Sequence, residues 1–309
     1  MRKTPKRKIL FVCTGNIFRS FLAERCLRGY LAKIGDKNTI VNSAGTEARK
    51  QARHPNTIES LKNFGFDYKN HKQTRLTKKI LEDHDLVIAM AKSHIDFMEK
   101  NFNFRDAVLF NKIANNKKGS VCDGRVIPQN IEVGDFQFEN IKKTANYIFR
   151  STYRLYKNLF KYFLFSDFIT KRQRDNKKFP FITLYETTHS IAFMSISIPK
   201  KEDARILVVP KKRYVNFESI PNMVRKNLTD CIYIIASALK RHHAGYNILL
   251  NNGSVASQFI NHVHFHIIPR DENDDIRVSI WRNKKLSKKE YIEFNKKMKN
   301  SIKEVLSKN

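Results

Sequence analysis

Two stretches of this chain carry side chains whose types and spacing can do chemistry. The first is Cys13-Thr14-Gly15-Asn16-Ile17-Phe18-Arg19-Ser20, in which five residues separate a cysteine from an arginine and a serine follows. A loop that opens a helix aims several backbone N–H groups at one point, and the helix dipole adds partial positive charge there. That arrangement suits a phosphate. A cysteine at the loop's entrance can attack phosphorus as a thiolate. An arginine at its far end can clamp two phosphate oxygens in a bidentate fork. The second stretch is His262-Val263-His264-Phe265-His266-Ile267-Ile268, followed by Pro269-Arg270. On a strand, the three imidazoles project from one face and the apolar side chains from the other. Metal binding and nucleophilic catalysis are the two uses to weigh for three histidines on one strand face.

The first stretch needs a strand before it and a helix after it. Lys8–Cys13 (KILFVC) is a short, β-rich apolar run; beyond Arg19, Leu22, Cys26, Leu27, Leu31 and Ile34 recur at helical spacing as far as Gly35. Thr39–Ala44 reads as a strand running into Gly45, Asn56–Phe64 as a helix closed by Gly65, and Asp85–Met90 as a buried strand. Lys92–Asn101 reads as a helix and Phe136–Phe165 as one long helix. This alternation predicts an α/β sandwich with a parallel sheet. The basic, aromatic end of the long helix could lie on a membrane surface; packing on the sheet is the favoured reading. The charged break Thr170–Lys178 marks a linker, placed at 169–179. Beyond it, Phe181–Glu186, Ser190–Ile196 and Arg205–Pro210 read as strands, Ile220–His243 as a long helix, and Tyr246–Asn251 and Val263–Pro269 as two further strands. That order predicts α+β with an antiparallel sheet. Ser287–Lys308 reads as a basic amphipathic helix. The expected domains are 1–168 and 180–309.

A chain of 309 residues can build two cores. The four cysteines, Cys13, Cys26, Cys122 and Cys231, show no C-x-x-C pairing. They read as reduced thiols of a cytoplasmic protein. No stretch approaches the ~18 apolar residues of a membrane span. The apolar run after the basic start MRKTPKRK is too short for an export signal. A formal net charge of +30 predicts attraction to nucleic acid, anionic lipid or acidic substrates. The lysines are scattered, so compositional bias is the favoured reading and nucleic acid stays open as a partner. A basic surface steers phosphorylated substrates inward in either case.

Residues 7–165 resemble the low-molecular-weight protein tyrosine phosphatases. The likeness rests on Cys13–Ser20, on Ser43-Ala44-Gly45-Thr46, on the helix ending at Gly65 and on Asp85–Met90. It implies that Cys13 attacks phosphorus to form a cysteinyl-phosphate, while Arg19 and the loop from Thr14 through Gly15, Asn16, Ile17 and Phe18 hold the phosphate oxygens. Ser20 would stabilise the thiolate and Asn16 would shape the loop. The family's general acid falls on Gln129 when Ile127–Glu132 is aligned by Gly134-Asp135-Phe136. Asp135 or Asp123 could substitute from nearby. A general acid is worth ~10²–10⁴-fold, so the departure implies slow turnover or good leaving groups. Arg49 on one side, and Ile131 and Glu132 on the other, stand where relatives flank a phosphotyrosine ring with aromatics. That substitution implies a smaller or more anionic phosphoester. Phe18 stands where many relatives carry a second loop cysteine, so no protective disulfide with Cys13 is available. The related arsenate reductases need further cysteines around residues 80–90, and this sequence has none there.

Residues from about 178 to 300 resemble the histidine triad family of nucleotide hydrolases and transferases. The matching pieces are Ile206-Leu207-Val208-Val209-Pro210-Lys211, Asn251-Asn252-Gly253, Gln258 and His262 through Arg270. The resemblance implies an α+β fold, a homodimer through this domain, and a purine nucleotide as ligand. It makes His264 the nucleophile on the α-phosphorus, with His262 orienting it and His266 contacting the phosphate or leaving group. Asn251, Ser257 and Gln258 would hold the phosphate and its surroundings. No metal or other cofactor is implied, because imidazole is already a neutral nucleophile near pH 7. Arg205 and Arg213 stand where relatives usually carry histidines, and Phe259 where a hydroxyl residue is common. Arg205 would keep positive charge beside the site without shuttling protons.

The expectation is therefore a bifunctional phosphoester enzyme. One head acts on a phosphorylated protein or small phosphoester through a phosphocysteine, the other on a purine nucleotide through a nucleotidyl-histidine. Two alternatives stand beside it. A phosphate- and nucleotide-binding protein would explain Gln129, Arg205 and Arg213 as signs of degraded sites. A nucleic-acid end-processing hydrolase would use the charge, although no zinc finger or base-reading motif supports it.

Overall fold

In the computed structural model, which describes residues 7–52, 55–121, 135–169, 183–195, 204–276 and 287–307, β1 (Arg7–Cys13) lies inside a four-stranded parallel sheet. The strand order is β2 (Thr39–Gly45), β1, β3 (Leu86–Ala89), β4 (Ala107–Leu109). Ile9 and Phe11 face one core, shared with Phe21, Leu22 and Leu27 of α1 (Arg19–Lys33) and Leu61 of α2 (Pro55–Asn63). Leu10 and Val12 face the opposite core, against Leu81 of α3 (Lys78–Glu82) and Met98 of α4 (Lys92–Phe102). Burial on both faces is why β1 is a continuous apolar run rather than an alternating one. Three short elements were not predicted: α3, β4 and α5 (Phe110–Asn115) have five, three and six residues. No periodicity registers over so few positions.

The long helix expected over Phe136–Phe165 is two helices. α6 (Asp135–Asn158) and α7 (Phe160–Ile169) meet at Leu159, whose N–H donates to the Tyr156 carbonyl at 3.1 Å. The cause is that the aromatic run has two cores to fill. Ile141, Ala145, Ile148 and Leu155 pack with the parallel sheet, as do Tyr162 and Phe163 beyond the break. Leu164, Phe165 and Ile169 instead join Ile191, Phe193, Leu207 and Val209 of the second sheet.

That second sheet has the order β5 (Thr183–Glu186), β6 (Ser190–Met194), β7 (Ile206–Pro210), β9 (Phe265–Arg270), β8 (Gly245–Leu250), antiparallel throughout. α8 (Asn222–Leu239) covers the face formed by Ala192, Ile206, Val208 and Ile267. α7 covers the other face. The fold is thus α/β followed by α+β, as the sequence predicts. The strand holding the histidine row starts at Phe265 rather than Val263. Val263 donates its N–H to the Tyr214 carbonyl at 2.7 Å, outside the ladder, so His262 and His264 lie in the lead-in and only His266 is on the strand.

Both sheets belong to one compact unit, Met1–Glu272, while Asn273–Asn309 form a second that includes α9 (Lys288–Ser307). Residues 170–182 lie outside the described residues, and with them the expected linker 169–179 apart from Ile169, which ends α7. Arg213, only 4% exposed, joins the halves: its Nε and Nη2 donate to the Asp85 carbonyl at 2.9 and 2.6 Å, and Nη2 reaches Asp106 Oδ2 at 3.1 Å. Asp106 Oδ1 accepts the Val215 N–H at 2.9 Å. Burial pushes the Asp106 carboxyl up, and the Arg213 charge offsets only part of that rise. A second link pairs Arg7 of β1 with Asp167 of α7. Among the described residues, no helix is long and apolar enough to cross a membrane.

Candidate active sites

Parallel pairing sets Cys13 directly opposite Gly45, so β1 and β2 end together where the loop begins. Gly45 is needed there. A Cβ on it would lie 2.5 Å from the Thr14 carbonyl oxygen and 2.9 Å from the Asn16 nitrogen. The loop then turns through Asn16, at φ 55°, into α1, whose N-cap Phe18 offers no side-chain acceptor. The first amides of α1 are therefore left for an anion. Asn16 is buried and organises the loop. Its Nδ2 donates to Ser20 Oγ at 3.0 Å and to Ser43 Oγ at 2.8 Å, and its Oδ1 accepts the Thr74 N–H at 2.9 Å. Ser20 Oγ accepts that amide hydrogen and lies 2.9 Å from Cys13 Sγ, where its own hydroxyl hydrogen is available to the sulfur once Cys13 is a thiolate. The Asn16 N–H adds a second donor to Sγ at 3.3 Å. Ser43 passes its hydrogen to buried Glu24, and His71 Nε2 donates to the Asn16 carbonyl at 2.8 Å.

Arg19, 6% exposed, donates from Nη1 to the Val121 carbonyl at 3.3 Å and lines the cleft above Cys13. The cleft has a volume of about 410 Å³ and is lined by Cys13, Thr14, Gly15, Ile17, Phe18 and Arg19 together with Glu47, Arg49, Gln51 and Arg75. Three guanidinium groups thus face one side chain of opposite charge. His94 supports the loop from below. The Ala91 N–H donates to its Nδ1 at 3.0 Å, so the ring hydrogen is on Nε2 and donates to Thr14 Oγ1 at 3.1 Å. Burial and the Arg19 charge bring the His94 pKa down to about 4. Gln129 and Asp123 lie outside the described residues, and so does the side chain of Asp135 at the start of α6.

In the second half, His262 is fully buried and donates from Nε2 to the Pro210 carbonyl at 2.8 Å. His264 Nδ1 lies 2.7 Å from the His262 carbonyl, which can only accept, so the proton is on Nδ1 and Nε2 keeps its lone pair. The contact from His262 to His264 is thus made by the main chain, not the ring. The His264 and His266 rings meet edge-on, 4.9 Å between centroids. Burial lowers all three pKa values, His262 to about 3 and His266 to about 4. The charge of Arg205 lowers His264 and His266 further. Gln258 spends both ends of its amide on the backbone, accepting from Gly253 N–H at 2.7 Å and donating to the Val215 carbonyl at 2.8 Å. Ser257 is exposed at φ 62° and Asn251 is half-buried at the end of β8. Among the described residues, no three His, Cys, Asp or Glu side chains are arranged to hold a metal ion.

Glu24, His71 and His94 belong to the first site and carry no local signal. His71 and His94 reach the loop across 55 and 80 residues of sequence.

The pattern of the low molecular weight phosphotyrosine protein phosphatase family matches residues 8–141, and that of the HIT domain matches residues 176–273. Over 100 residues the chain is 43% identical to an uncharacterised HIT-like protein of Methanocaldococcus jannaschii, spanning 32% of this chain and 76% of that protein. It is 34% identical over 95 residues to an adenosine 5'-monophosphoramidase of Schizosaccharomyces pombe, or 31% of this chain and 68% of the relative. It is also 39% identical over 85 residues to an arsenate reductase of Staphylococcus haemolyticus, or 28% of this chain and 60% of that one. Both matched families are hydrolases. Since the phosphate loop and the histidine row each fall inside a matched span, the chain belongs to the HIT family and carries, in the same polypeptide, a low molecular weight phosphotyrosine protein phosphatase domain.

Proposed function

We propose that the two heads work through two covalent intermediates. At the first, Cys13 Sγ attacks phosphorus, the bond to the leaving oxygen breaks, and water then cleaves the S–P bond to release phosphate. Ser20 and the Asn16 N–H steady the sulfur, while Arg19 and the first amides of α1 hold the charge on the transferring phosphoryl. The cleft favours a small, strongly anionic phosphoester, because Arg49 and Arg75 line it with Arg19. Arsenate reduction is less well supported: among the described residues the other free cysteines, Cys26 and Cys231, are buried. At the second head, His264 Nε2 attacks the α-phosphorus of a purine nucleotide derivative, the leaving group departs, and water resolves the nucleotidyl-histidine. A homodimer through the edge strand β8 would serve this half.

The observation that carries the reading is the geometry around both nucleophiles: Ser20 Oγ lies 2.9 Å from Cys13 Sγ, and the His264 proton is held on Nδ1. The test is hydrolysis of p-nitrophenyl phosphate and of adenosine 5'-phosphoramidate by the full chain, with Cys13→Ser and His264→Ala. Each variant is expected to lose one activity by about 10³-fold or more and keep the other. Samples quenched in acid should show phosphorus on Cys13, and samples quenched in alkali should show it on His264, whose P–N bond is labile in acid. If neither substrate turns over while AMP and phosphate analogues still bind, the protein is a phosphate- and nucleotide-binding scaffold instead.

A further inference from the structure

The HIT match begins at residue 176, yet the helix lying against its histidines, α7, ends at Ile169. Phe165 is 5% exposed. Its ring stands edge-on to His264 at 5.2 Å and to His262 at 5.7 Å between centroids. Ile191, Phe193, Leu207 and Ile260 hold it in place. In the first turn of α7, the Lys161 carbonyl accepts the Asn261 N–H at 2.7 Å, one residue before His262. In its last turn, Asp167 pairs with Arg7 of β1. One end of α7 is thus tied to the lead-in of the histidine row and the other to the strand that carries Cys13.

We infer that α7 completes the histidine site, with Phe165 as the positioning residue that fixes the His264 ring. This rests on His264 acting as the nucleophile. Among the described residues the ring has one polar hold, from Nδ1 to the His262 carbonyl, and a single hydrogen bond leaves a ring free to rock about that axis. Edge-on packing against Phe165 closes that freedom. The same ring packs on His262, so one side chain sets both the donor and the residue that accepts. Ring orientation matters to the attack far more than to ground-state binding, so the loss falls on kcat.

A second consequence is electrostatic. Among the described residues, the charged or titratable groups that act on His264 and its neighbour His266 are Arg205 and the histidines of the row themselves, while Asp167 of α7 is engaged by Arg7. Burial holds the His264 pKa down. Opening the wall lets water in and moves it back up, so the acidic limb of the pH–rate profile shifts to higher pH.

The experiment uses the full chain with Phe165→Leu and, as a harsher change, Phe165→Ala. Adenosine 5'-phosphoramidate hydrolysis is measured against pH, and p-nitrophenyl phosphate hydrolysis at Cys13 reports folding in the same samples. Two-bond ¹H–¹⁵N spectra of the imidazoles give a readout that needs no substrate. Phe165→Leu is expected to lower kcat by about 10- to 100-fold with KM within about twofold. The acidic limb should move up, and His264 should lose its single Nδ1–H tautomer. A kcat within about twofold of the parent, with tautomer and titration unchanged, overturns the inference. If the parent hydrolyses no phosphoramidate, the nucleophile reading fails by itself. The imidazole spectra still decide the positioning role, and an unmoved His264 sinks it.

Discussion

His94 shows how a side chain that never meets phosphate can set a phosphate loop. Its neutral ring spans Ala91 and Thr14, accepting on one nitrogen and donating from the other. That state has a measurable signature. The pKa falls from 6.5 to about 4 on folding, so between those values the unfolded chain binds a proton that the folded chain refuses. Stability is then fully present above pH 6.5 and falls as the pH drops toward 4, by about 1.4 kcal/mol per pH unit. His94→Gln keeps an acceptor and a donor without the titration. Urea midpoints measured through this range should fall less steeply for the variant by that amount; equal slopes would show that His94 does not resist protonation. His262 and His266 continue to contribute the same sign of slope. Cys13, Arg19 and Ser20 were legible in the sequence because one loop holds them all. Glu24, His71 and His94 were not, since only the folded chain brings them to Asn16, Ser43 and Thr14.

At the scale of elements, the long periodic segments were read correctly in kind, and the misses have physical causes. The Phe136–Phe165 pattern is helical throughout, yet it breaks because aromatic residues on its two faces serve different cores. The histidine row alternates like a strand, yet its first half leaves the ladder for the Tyr214 carbonyl. β8 is an element whose surroundings give a prediction. It is an edge of the five-stranded sheet, and it exposes Tyr246 by 39% and Ile248 by 47%. Among the described residues that edge has no neighbouring strand, and an edge with apolar side chains invites pairing with another strand. The proposed homodimer uses it, so sedimentation equilibrium should give twice the chain mass of 36.3 kDa, and Ile248→Arg should return it to one. A parent protein that sediments as a monomer at micromolar concentration would remove the dimer from the proposal.

At the scale of the whole molecule, the sequence marks two folds and a charged break, but not how tightly the folds hold each other. Arg213 was singled out as a missing histidine; it is instead a buried tie between β7's exit and the parallel sheet, paired with Asp106. Arg213→Met leaves a buried carboxylate without its cation and should cost about 3–5 kcal/mol in urea unfolding. Adding Asp106→Leu should recover part of that, giving a coupling energy well above the ~0.5 kcal/mol of independent sites. Simple additivity of the two changes would show that the pair does not hold the halves. The same tie limits how such a chain can be reshuffled. A crossover between positions 106 and 213 that brings in a foreign half separates the two charges and buries one of them alone. The halves are exchangeable only as a matched set, and Asp106 with Arg213 is the mark of the match.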